Sequence, residues 1–92
     1  LLAVRVVEEG IGNALRHGHP SSLVVSLGLD GRRLVVRVDD DGNGLPPDAV
    51  RSGTNRLGER LAAVGGTLEL TGAPGGGARL TGRLPLAGSR GF

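Results

Sequence analysis

The chain has 92 residues and no cysteine, which limits it to one small domain without disulfides or thiolate metal sites. Its net charge is +2, its 11 basic residues are all arginines scattered along the chain, and it has one aromatic residue, so nucleic-acid binding is not indicated. No apolar run approaches the roughly 20 residues of a membrane-spanning helix. Because the chain does not begin with methionine, we expect residues 1–92 to be a single-domain fragment of a longer protein.

The first predicted element is a helix from Leu2 to about Gly18. Its apolar residues recur with a 3.6-residue period and form one predicted core-facing stripe: Val4, Val7, Ile11, Ala14 and Leu15. Gly18 is the expected C-cap, and Pro20 ends the helix. Gly10 and Gly12 each cost up to about 1 kcal/mol relative to alanine inside a helix. Their presence predicts that another group approaches the helix backbone closely.

Strands and a second helix are predicted in the rest of the chain. Apolar residues alternate along residues 23–29 and 34–38, and Asp30-Gly31 between them is a hairpin signal, so these two runs should pair antiparallel. Residues 39–53 have the composition of a loop. A second helix is predicted from about Asn55 to Val64. Two last strands, containing Leu68 and Leu80, are joined by a glycine-rich turn at residues 72–77. Its three glycines at 75–77 are expected to form a flexible hairpin and not a phosphate-binding loop.

The predicted element order α-β-β-α-β-β indicates an α/β two-layer sandwich. Most of the strands carry apolar residues on one face only, as expected when helices cover one side of a mostly antiparallel sheet. The sequence contains no internal repeat and no domain boundary. Residues 87–92 are expected to form a loose tail.

Polar residues form a second stripe on the first helix, opposite the apolar one. Glu9, Asn13 and His17 are spaced about one turn apart, and Arg16 lies beside them. A carboxylate and a carboxamide offer the oxygen ligands that Mg²⁺ takes, and Arg16 and His17 are suited to phosphate oxygens. A solvated helix face explains the same spacing, so the stripe alone does not decide between the two.

The loop after the second strand, V-D-D-D-G-N-G-L-P at residues 38–46, is the second candidate site. Asp40 at a strand end is followed by Gly42 and Gly44, which allow a sharp turn with an exposed backbone. A carboxylate there can accept a hydrogen bond from an amino group while a flat ring lies against the glycines. A plain Asp/Gly turn is the alternative. An EF-hand lacks its terminal Glu and its flanking helices here, and a P-loop lacks its lysine.

Four segments in order resemble the ATP-binding catalytic domain of sensor histidine kinases, in the GHKL ATPase superfamily with its Bergerat fold. Residues 6–18, V-V-E-E-G-I-G-N-A-L-R-H-G, resemble the N box, and residues 38–46 resemble the first glycine box, D-x-G-x-G. Residues 57–70, L-G-E-R-L-A-A-V-G-G-T-L-E-L, resemble the segment after the second glycine box. Residues 74–86, P-G-G-G-A-R-L-T-G-R-L-P-L, resemble the closing hairpin. The variant is most similar to the nitrate- and redox-sensor subfamily with a short lid.

The resemblance implies roles in binding Mg²⁺ and the adenine base of ATP. Asp40 matches the aspartate that binds the adenine amino group, and Gly42 and Gly44 match the glycines beneath the base and at the lid hinge. Asn13 matches the Mg²⁺ ligand. Glu9 matches the acidic residue that acts as general base or orients the acceptor. These assignments make Glu9 and Asn13 the expected catalytic residues.

The resemblance also implies where the phosphates lie. Arg16 and His17 match basic positions near the phosphates, and Gly53 matches the first glycine of the second glycine box. The second glycine of that box aligns with Arg56, whose side chain either crowds the phosphate site or supplies a contact of its own. Ala78 stands where a threonine often supports the adenine-binding aspartate.

The implied function is transfer of the γ-phosphate of ATP to a histidine on a separate helical dimerisation domain. The parent would be a cytoplasmic or membrane-anchored homodimer that passes the phosphate to a response regulator. Two alternatives stay open. One is a degenerate, non-catalytic nucleotide-binding or interaction domain, which Arg56 and Ala78 favour. The other is an anti-sigma-type serine kinase of the same superfamily.

Overall fold

Two helices cover one face of a four-stranded antiparallel sheet in the computed structural model, which describes residues 1–44 and 52–86 without the side chains of residues 17, 18 and 52–54. The elements in chain order are helix α1 (Leu2–Asn13), a π-helical turn (Ala14–Gly18), β1 (Leu23–Asp30), β2 (Arg33–Asp40), α2 (Ser52–Ala63), β3 (Thr67–Gly72) and β4 (Ala78–Pro85). The sheet order is β1-β2-β4-β3, and every pairing between these strands is antiparallel. The predicted element order and the two-layer α/β sandwich are confirmed.

The core lies between the helices and the two central strands, β2 and β4. Its buried members are Val6, Val36, Leu57, Leu61, Leu80 and Leu84. The strand residues in this set share one face of the sheet because side chains alternate across a strand. Each full burial of such a side chain contributes about 1.5–3 kcal/mol. The core therefore anchors α1 and α2 to the same face.

Close approach of helix α1 to the sheet fixes its direction. A Cβ added at Gly10 would lie 2.6 Å from the Cβ of Val38, and one added at Gly82 would lie 2.9 Å from a methyl of Val6. Gly82 pairs with Val36 in the sheet, so Val6 lies over Val36 and Gly10 lies over Val38. Helix α1 thus runs in the same direction as β2. The close approach that Gly10 predicted is confirmed, and the approaching group is the sheet itself.

The predicted apolar stripe of α1 is out of phase with the face that the structure buries. Val4 is 50% exposed and Leu15 is 63% exposed, whereas Val6 is fully buried. The buried positions of the helix itself are Val6, Gly10 and Asn13, of which only the first is a large apolar residue. A pattern based on apolar residues alone therefore gave the wrong rotation, although Ala14 is buried as expected.

The inner face of β1 is the other departure from the predicted sandwich. Val25, Leu27 and Leu29 alternate as the sequence suggests, yet they are 45–70% exposed. The reason is position, because β1 lies at the edge of the sheet and the described helices pack over β2, β3 and β4. Among the described residues, no helix is long and apolar enough to cross a membrane.

The end of the first helical segment differs from the prediction in its capping residue. The last turn, Ala14–Gly18, widens to π-helical geometry, a form that is rare and frequent at functional sites. The residue that leaves the helix in the left-handed conformation is His19, with φ 46°, and not Gly18. Helix α2 begins at Ser52, earlier than the predicted Asn55.

Candidate functional site

Asp40 is a buried carboxylate at the end of β2, held by the backbone on one side only. Its side chain lies on the helix-covered face and the residue is 8% exposed. The backbone N–H groups of Gly42 and Ala78 both donate hydrogen bonds to Oδ1, at 2.8 and 3.2 Å. No described residue donates to Oδ2. The carboxylate is therefore fixed in orientation through Oδ1, and Oδ2 has no donor within residues 1–44 and 52–86.

The loop after β2 and the turn between β3 and β4 meet at this carboxylate. Gly44 has φ 84°, a conformation that favours glycine, and a Cβ added there would lie 3.8 Å from the carbonyl oxygen of Gly77. The bond from Gly42 to Asp40 closes a local turn of the kind that aspartate forms with the residue two positions on. The two glycines expected beside the base thus lie next to Asp40.

Gly77 has a structural role beside Asp40 that the sequence prediction missed. Residues 75–77 were interpreted as a flexible hairpin, whereas Gly77 is buried and adopts φ 78°. A Cβ added at this position would overlap the main chain of Asp40. Only glycine lets the amide of the next residue, Ala78, reach the Asp40 carboxylate. The signal in the sequence was a run of three glycines directly before a strand, which is more than a simple turn requires.

Asn13 lies over the same end of the sheet as Asp40. Gly10 packs on Val38, and α1 runs parallel to β2. One helical turn after Gly10 leads to Asn13, and two strand residues after Val38 lead to Asp40, so both residues lie at this end of the sheet. Asn13 is 6% exposed. The polar stripe of α1 is therefore not a solvated face opposite the core, because its central residue is buried against the sheet.

Glu9 and Arg16 form an ion pair across two turns of the helical segment. The Arg16 guanidinium donates to Glu9 Oε2 at 3.3 Å, and the Glu9 side chain is 18% exposed. A Cβ added at Gly12 would lie 3.0 Å from an Arg16 nitrogen. The second helix glycine thus lets a side chain lie against the helix backbone. Arg16 is held at Glu9, one turn from Asn13.

The remaining predicted phosphate residues are described less fully. The side chain of His17 lies outside the described part of the chain, although its backbone belongs to the π-helical turn. Gly53 lies in the first turn of α2. Arg56, one turn further along, is exposed. The predicted lid between Gly44 and Gly53 falls largely on residues 45–51, and the predicted tail on residues 87–92; both lie outside the described residues.

Two grooves border these residues. One, of about 340 Å³, lies between the two helices and is called here the interhelical groove; it is lined by Arg5, Glu8, Glu9, Arg56, Leu57 and Arg60. The other, of about 320 Å³, lies at the strand end that carries Asp40, and its lining includes Asp40 together with Val24, Asp39 and Arg79. The interhelical groove includes Glu9, which lies one helical turn before Asn13 on α1.

Hydrogen bonds to the carboxylates of Asp39 and Asp41 hold the chain on either side of Asp40 at the end of β2. Arg79 donates to both carboxylate oxygens of Asp39, at 2.6 and 3.2 Å, and this bonding raises the pKa of Arg79. The backbone N–H groups of Ser21 and Ser22 donate to Asp41 Oδ1 at 2.8 and 2.9 Å. These bonds, that from Ser22 first, hold the pKa of Asp41 below its ordinary value.

The donor set suits a metal that brings most of its own ligands. No group of three or more His, Cys, Asp or Glu side chains among the described residues is placed to hold a metal ion. A structural zinc or calcium site in that part of the chain is therefore not indicated. Mg²⁺ bound to a nucleotide takes most of its ligands from phosphates and water, and one protein oxygen is sufficient. The buried amide of Asn13 fits that requirement.

Comparison with known proteins identifies the family of this chain. A family model described as histidine kinase-, DNA gyrase B- and HSP90-like ATPase matches residues 1–88. The chain belongs to this ATPase family. The match includes both Asp40 and Asn13, so the residues gathered at the end of β2 lie within the family's nucleotide-binding domain. The recognition of a GHKL-type domain from four short motifs is confirmed.

Relatives of this ATPase domain are sensor kinases. The sensor histidine kinase LiaS of Bacillus subtilis is 32% identical over 85 residues, covering 89% of this chain and 24% of LiaS. The signal transduction histidine-protein kinase/phosphatase UhpB of Salmonella typhimurium is 36% identical over 69 residues, covering 73% of this chain and 14% of UhpB. The chain thus spans about a quarter or less of the length of these relatives.

Solved ATPase domains of this family share the fold. The ATP-binding domain of PrrB from Mycobacterium tuberculosis superimposes with a TM-score of 0.70 at 31% identity, over 87% of this chain and 63% of that one. The histidine kinase domain of the blue-light-activated kinase EL346 from Erythrobacter litoralis gives a TM-score of 0.68 at 29% identity, over 92% and 43% of the two chains. The two-layer sandwich is therefore the family's architecture.

Proposed function

We propose that this domain binds Mg²⁺-ATP and donates the γ-phosphate to a histidine on a separate helical dimerisation domain of a sensor histidine kinase. The observation that carries the proposal is the Asp40 carboxylate, buried, bonded to two backbone amides through one oxygen and facing the same sheet end as Asn13. The sensor histidine kinases among its relatives support the same function.

Recognition of the base would depend on Asp40. Its free Oδ2 accepts a hydrogen bond from the exocyclic amino group of adenine, while Gly42 and Gly44 leave the ring edge and face uncrowded. A charge-assisted hydrogen bond in a buried site contributes roughly 1.5–3 kcal/mol. Guanine, which presents a carbonyl oxygen at that position, would place two acceptors opposite each other and be rejected.

The phosphates would extend from this base site along α1. The amide oxygen of Asn13 would hold Mg²⁺, which, when bound, neutralises charge on the phosphate oxygens. Arg16, already bonded to Glu9, and His17 lie on the next turn and are the proposed cationic contacts. Gly53 and Arg56, in the first turns of α2, would contribute a backbone amide and a guanidinium.

The transfer itself would be an in-line displacement that the domain positions. The lone pair of one imidazole nitrogen forms the P–N bond as the bond from the γ-phosphorus to the bridging oxygen breaks, and ADP leaves with that electron pair. The second ring nitrogen then gives up its proton. Glu9, 18% exposed in its side chain, would accept that proton or hold the N–H in place. The parent would be a homodimer acting in the cytoplasm and passing the phosphate to a response regulator.

The deciding experiment is a nucleotide titration of Asp40→Asn. Asparagine keeps an oxygen for the two backbone amides but offers an N–H₂ to the ring, so we expect the Kd for ATP to rise at least about 100-fold. The unfolding temperature should stay close to that of the wild type. Asp39→Asn, which removes the same charge on the outer face, is the matched control and should bind ATP as the wild type does.

Three outcomes separate this proposal from its rivals. Wild-type affinity in Asp40→Asn would contradict the adenine assignment. Failure of the wild type to bind at millimolar nucleotide would favour a degenerate interaction domain, to which Arg56 at the second glycine box already points. Acid-stable phosphate on serine, instead of acid-labile phosphate on histidine, would favour the serine kinase.

A further inference from the structure

The interhelical groove carries more positive charge than its own carboxylates balance. Three arginines and two glutamates line it. On α1, Arg5 lies 3.5 Å from Glu8, and Glu9 is paired with Arg16, which is not part of the groove. Arg56 and Arg60 on α2 form no ion pair with another described residue. The α2 wall therefore presents two guanidinium groups that no carboxylate within residues 1–44 and 52–86 pairs with.

The position of the groove relative to the base site indicates which anion would enter it. Asn13 lies over the Asp40 end of β2, and Glu9 lies one turn back along α1, toward Val6 and the molecular centre. The groove starts at Glu9 and continues a further turn to Arg5. A nucleotide with its base at Asp40 and its metal at Asn13 would reach the groove at Glu9 with its terminal phosphate first.

We propose that Arg60, together with Arg56, recognises the γ-phosphate of ATP and so makes the domain discriminate ATP from ADP. The inference rests on the proposed function and adds to it a specificity determinant. Arg56 and Arg60 are one helical turn apart, so their side chains reach the same side of α2. Both line the interhelical groove opposite Glu9, the residue beside which the acceptor would lie.

The chemistry of guanidinium favours this role. Arginine stays charged at all relevant pH values and offers parallel N–H donors that match two oxygens of a phosphate. Arg56 and Arg60 are exposed, and turning to a ligand breaks no ion pair with the described part of the chain. The terminal phosphate of ATP carries more charge than the β-phosphate and is absent from ADP, so contacts made only to it translate directly into nucleotide selectivity.

The test is calorimetric titration of wild type and Arg60→Gln with ADP and with a non-hydrolysable ATP analogue, both with Mg²⁺. We expect Arg60→Gln to lower the affinity for the ATP analogue about 10-fold or more and to change the affinity for ADP less than about twofold. Arg60→Lys should recover part of the loss. Arg33→Gln is the control, since Arg33 is exposed at the hairpin end of β2 and its loss changes the net charge equally.

The outcomes are distinct. An equal loss of affinity for both nucleotides, or no loss for either, overturns the assignment of Arg60 while leaving the proposed function intact. Failure of the wild type to bind either nucleotide overturns the proposed function and the inference together. A lowered unfolding temperature with an unchanged ATP-to-ADP affinity ratio would show that Arg60 acts only on folding, which also overturns the inference.

Discussion

At the scale of single residues, the proposed recognition of adenine would depend on how one carboxylate is oriented. Asp40 receives both of its backbone hydrogen bonds on the same oxygen, one from its own loop and one from the first residue of β4. A carboxylate that rotated freely would lose rotamer entropy on binding, and this one has already lost it during folding. Its affinity for an amino group is therefore set by preorganisation as much as by charge.

Gly77→Ala tests that preorganisation. The new Cβ would overlap the Asp40 main chain, and the left-handed backbone would be strained as well, so we expect loss of nucleotide affinity together with destabilisation. Gly76→Ala is the matched control, because Gly76 has φ 97° but no atom within 4 Å of an added Cβ. It should cost about 1–2 kcal/mol from backbone strain alone and keep its nucleotide affinity. Equal affinities in a nucleotide titration of the two variants would contradict the role of Gly77.

The motifs around Asp40 were predictable from the sequence, and the way they are held was not. The spacing of Asp40, Gly42 and Gly44 indicated a turn with an exposed backbone, and the structure has that turn. The donor from Ala78 is 38 residues away, and local sequence patterns carry no information about such a contact. The role of Gly77 follows from that distant contact, which is why a run of glycines was interpreted only as a flexible hairpin.

At the scale of elements, contact between α1 and the sheet decides where Asn13 lies. Because Gly10 and Gly82 have no side chains, helix α1 and the sheet approach each other closely at these two positions. Glycine inside a helix is unfavourable by about 1 kcal/mol, and here the cost is offset by tighter packing over Val38 and by placing the helix end at the Asp40 strand end. At Gly10, intrinsic helix propensity therefore favours alanine, whereas close packing of α1 on the sheet requires glycine.

Gly10→Ala and Gly12→Ala separate the two effects. At Gly10 the added methyl would lie 2.6–2.9 Å from three atoms of Val38, so we expect a net loss of about 1–3 kcal/mol in the free energy of unfolding. At Gly12 the nearest atom is the end of the flexible Arg16 side chain, and improved helix propensity should make that variant neutral or more stable by up to about 1 kcal/mol. Urea unfolding measures both. A Gly10→Ala variant as stable as Gly12→Ala would contradict the packing described here.

The rotation of α1 was the main error of the sequence-based fold. The stripe that includes Val4 and Leu15 has good helical spacing, but the buried face uses Gly10 and Asn13, a glycine and an amide that an apolar pattern does not count. The proposed function would explain the mismatch, because a helix that places a Mg²⁺-binding amide at the sheet cannot have a uniformly apolar inner face. The antiparallel pairing of β1 with β2, which depends on simple alternation and a two-residue hairpin, was predicted correctly.

At the scale of the whole molecule, polar bonds close the sheet at the end that holds the site. Asp41 accepts hydrogen bonds from the backbone of Ser21 and Ser22 at the start of β1, so the loops before β1 and after β2 are joined there. These bonds lower the pKa of Asp41 in the folded state below its ordinary value of 3.8. As the pH falls, the Asp41 carboxylate is therefore protonated more readily in the unfolded chain than in the folded one.

The pH dependence of stability follows from this sign. The contribution of Asp41 to the free energy of unfolding is fully present above the ordinary pKa of the carboxyl group. It is lost as the pH falls through the lower pKa of the folded state. We expect Asp41→Asn to be less stable than the wild type near neutral pH, with a difference that shrinks below about pH 4. Urea unfolding of both proteins across this range measures it. A difference that stays constant into strong acid would show that the Asp41 charge has no part in these bonds.

The bond from Ala78 to Asp40 also has a consequence for synthesis on the ribosome. The chain is made from its N-terminus, so both glycines of the first loop and the whole of α1 emerge before β4 exists. Until Ala78 has been translated and β4 has inserted beside β2, Asp40 lacks one of its two amide donors. Under the proposed function, the nascent domain would therefore hold Asp40 less firmly, and bind ATP less tightly, until β4 is complete.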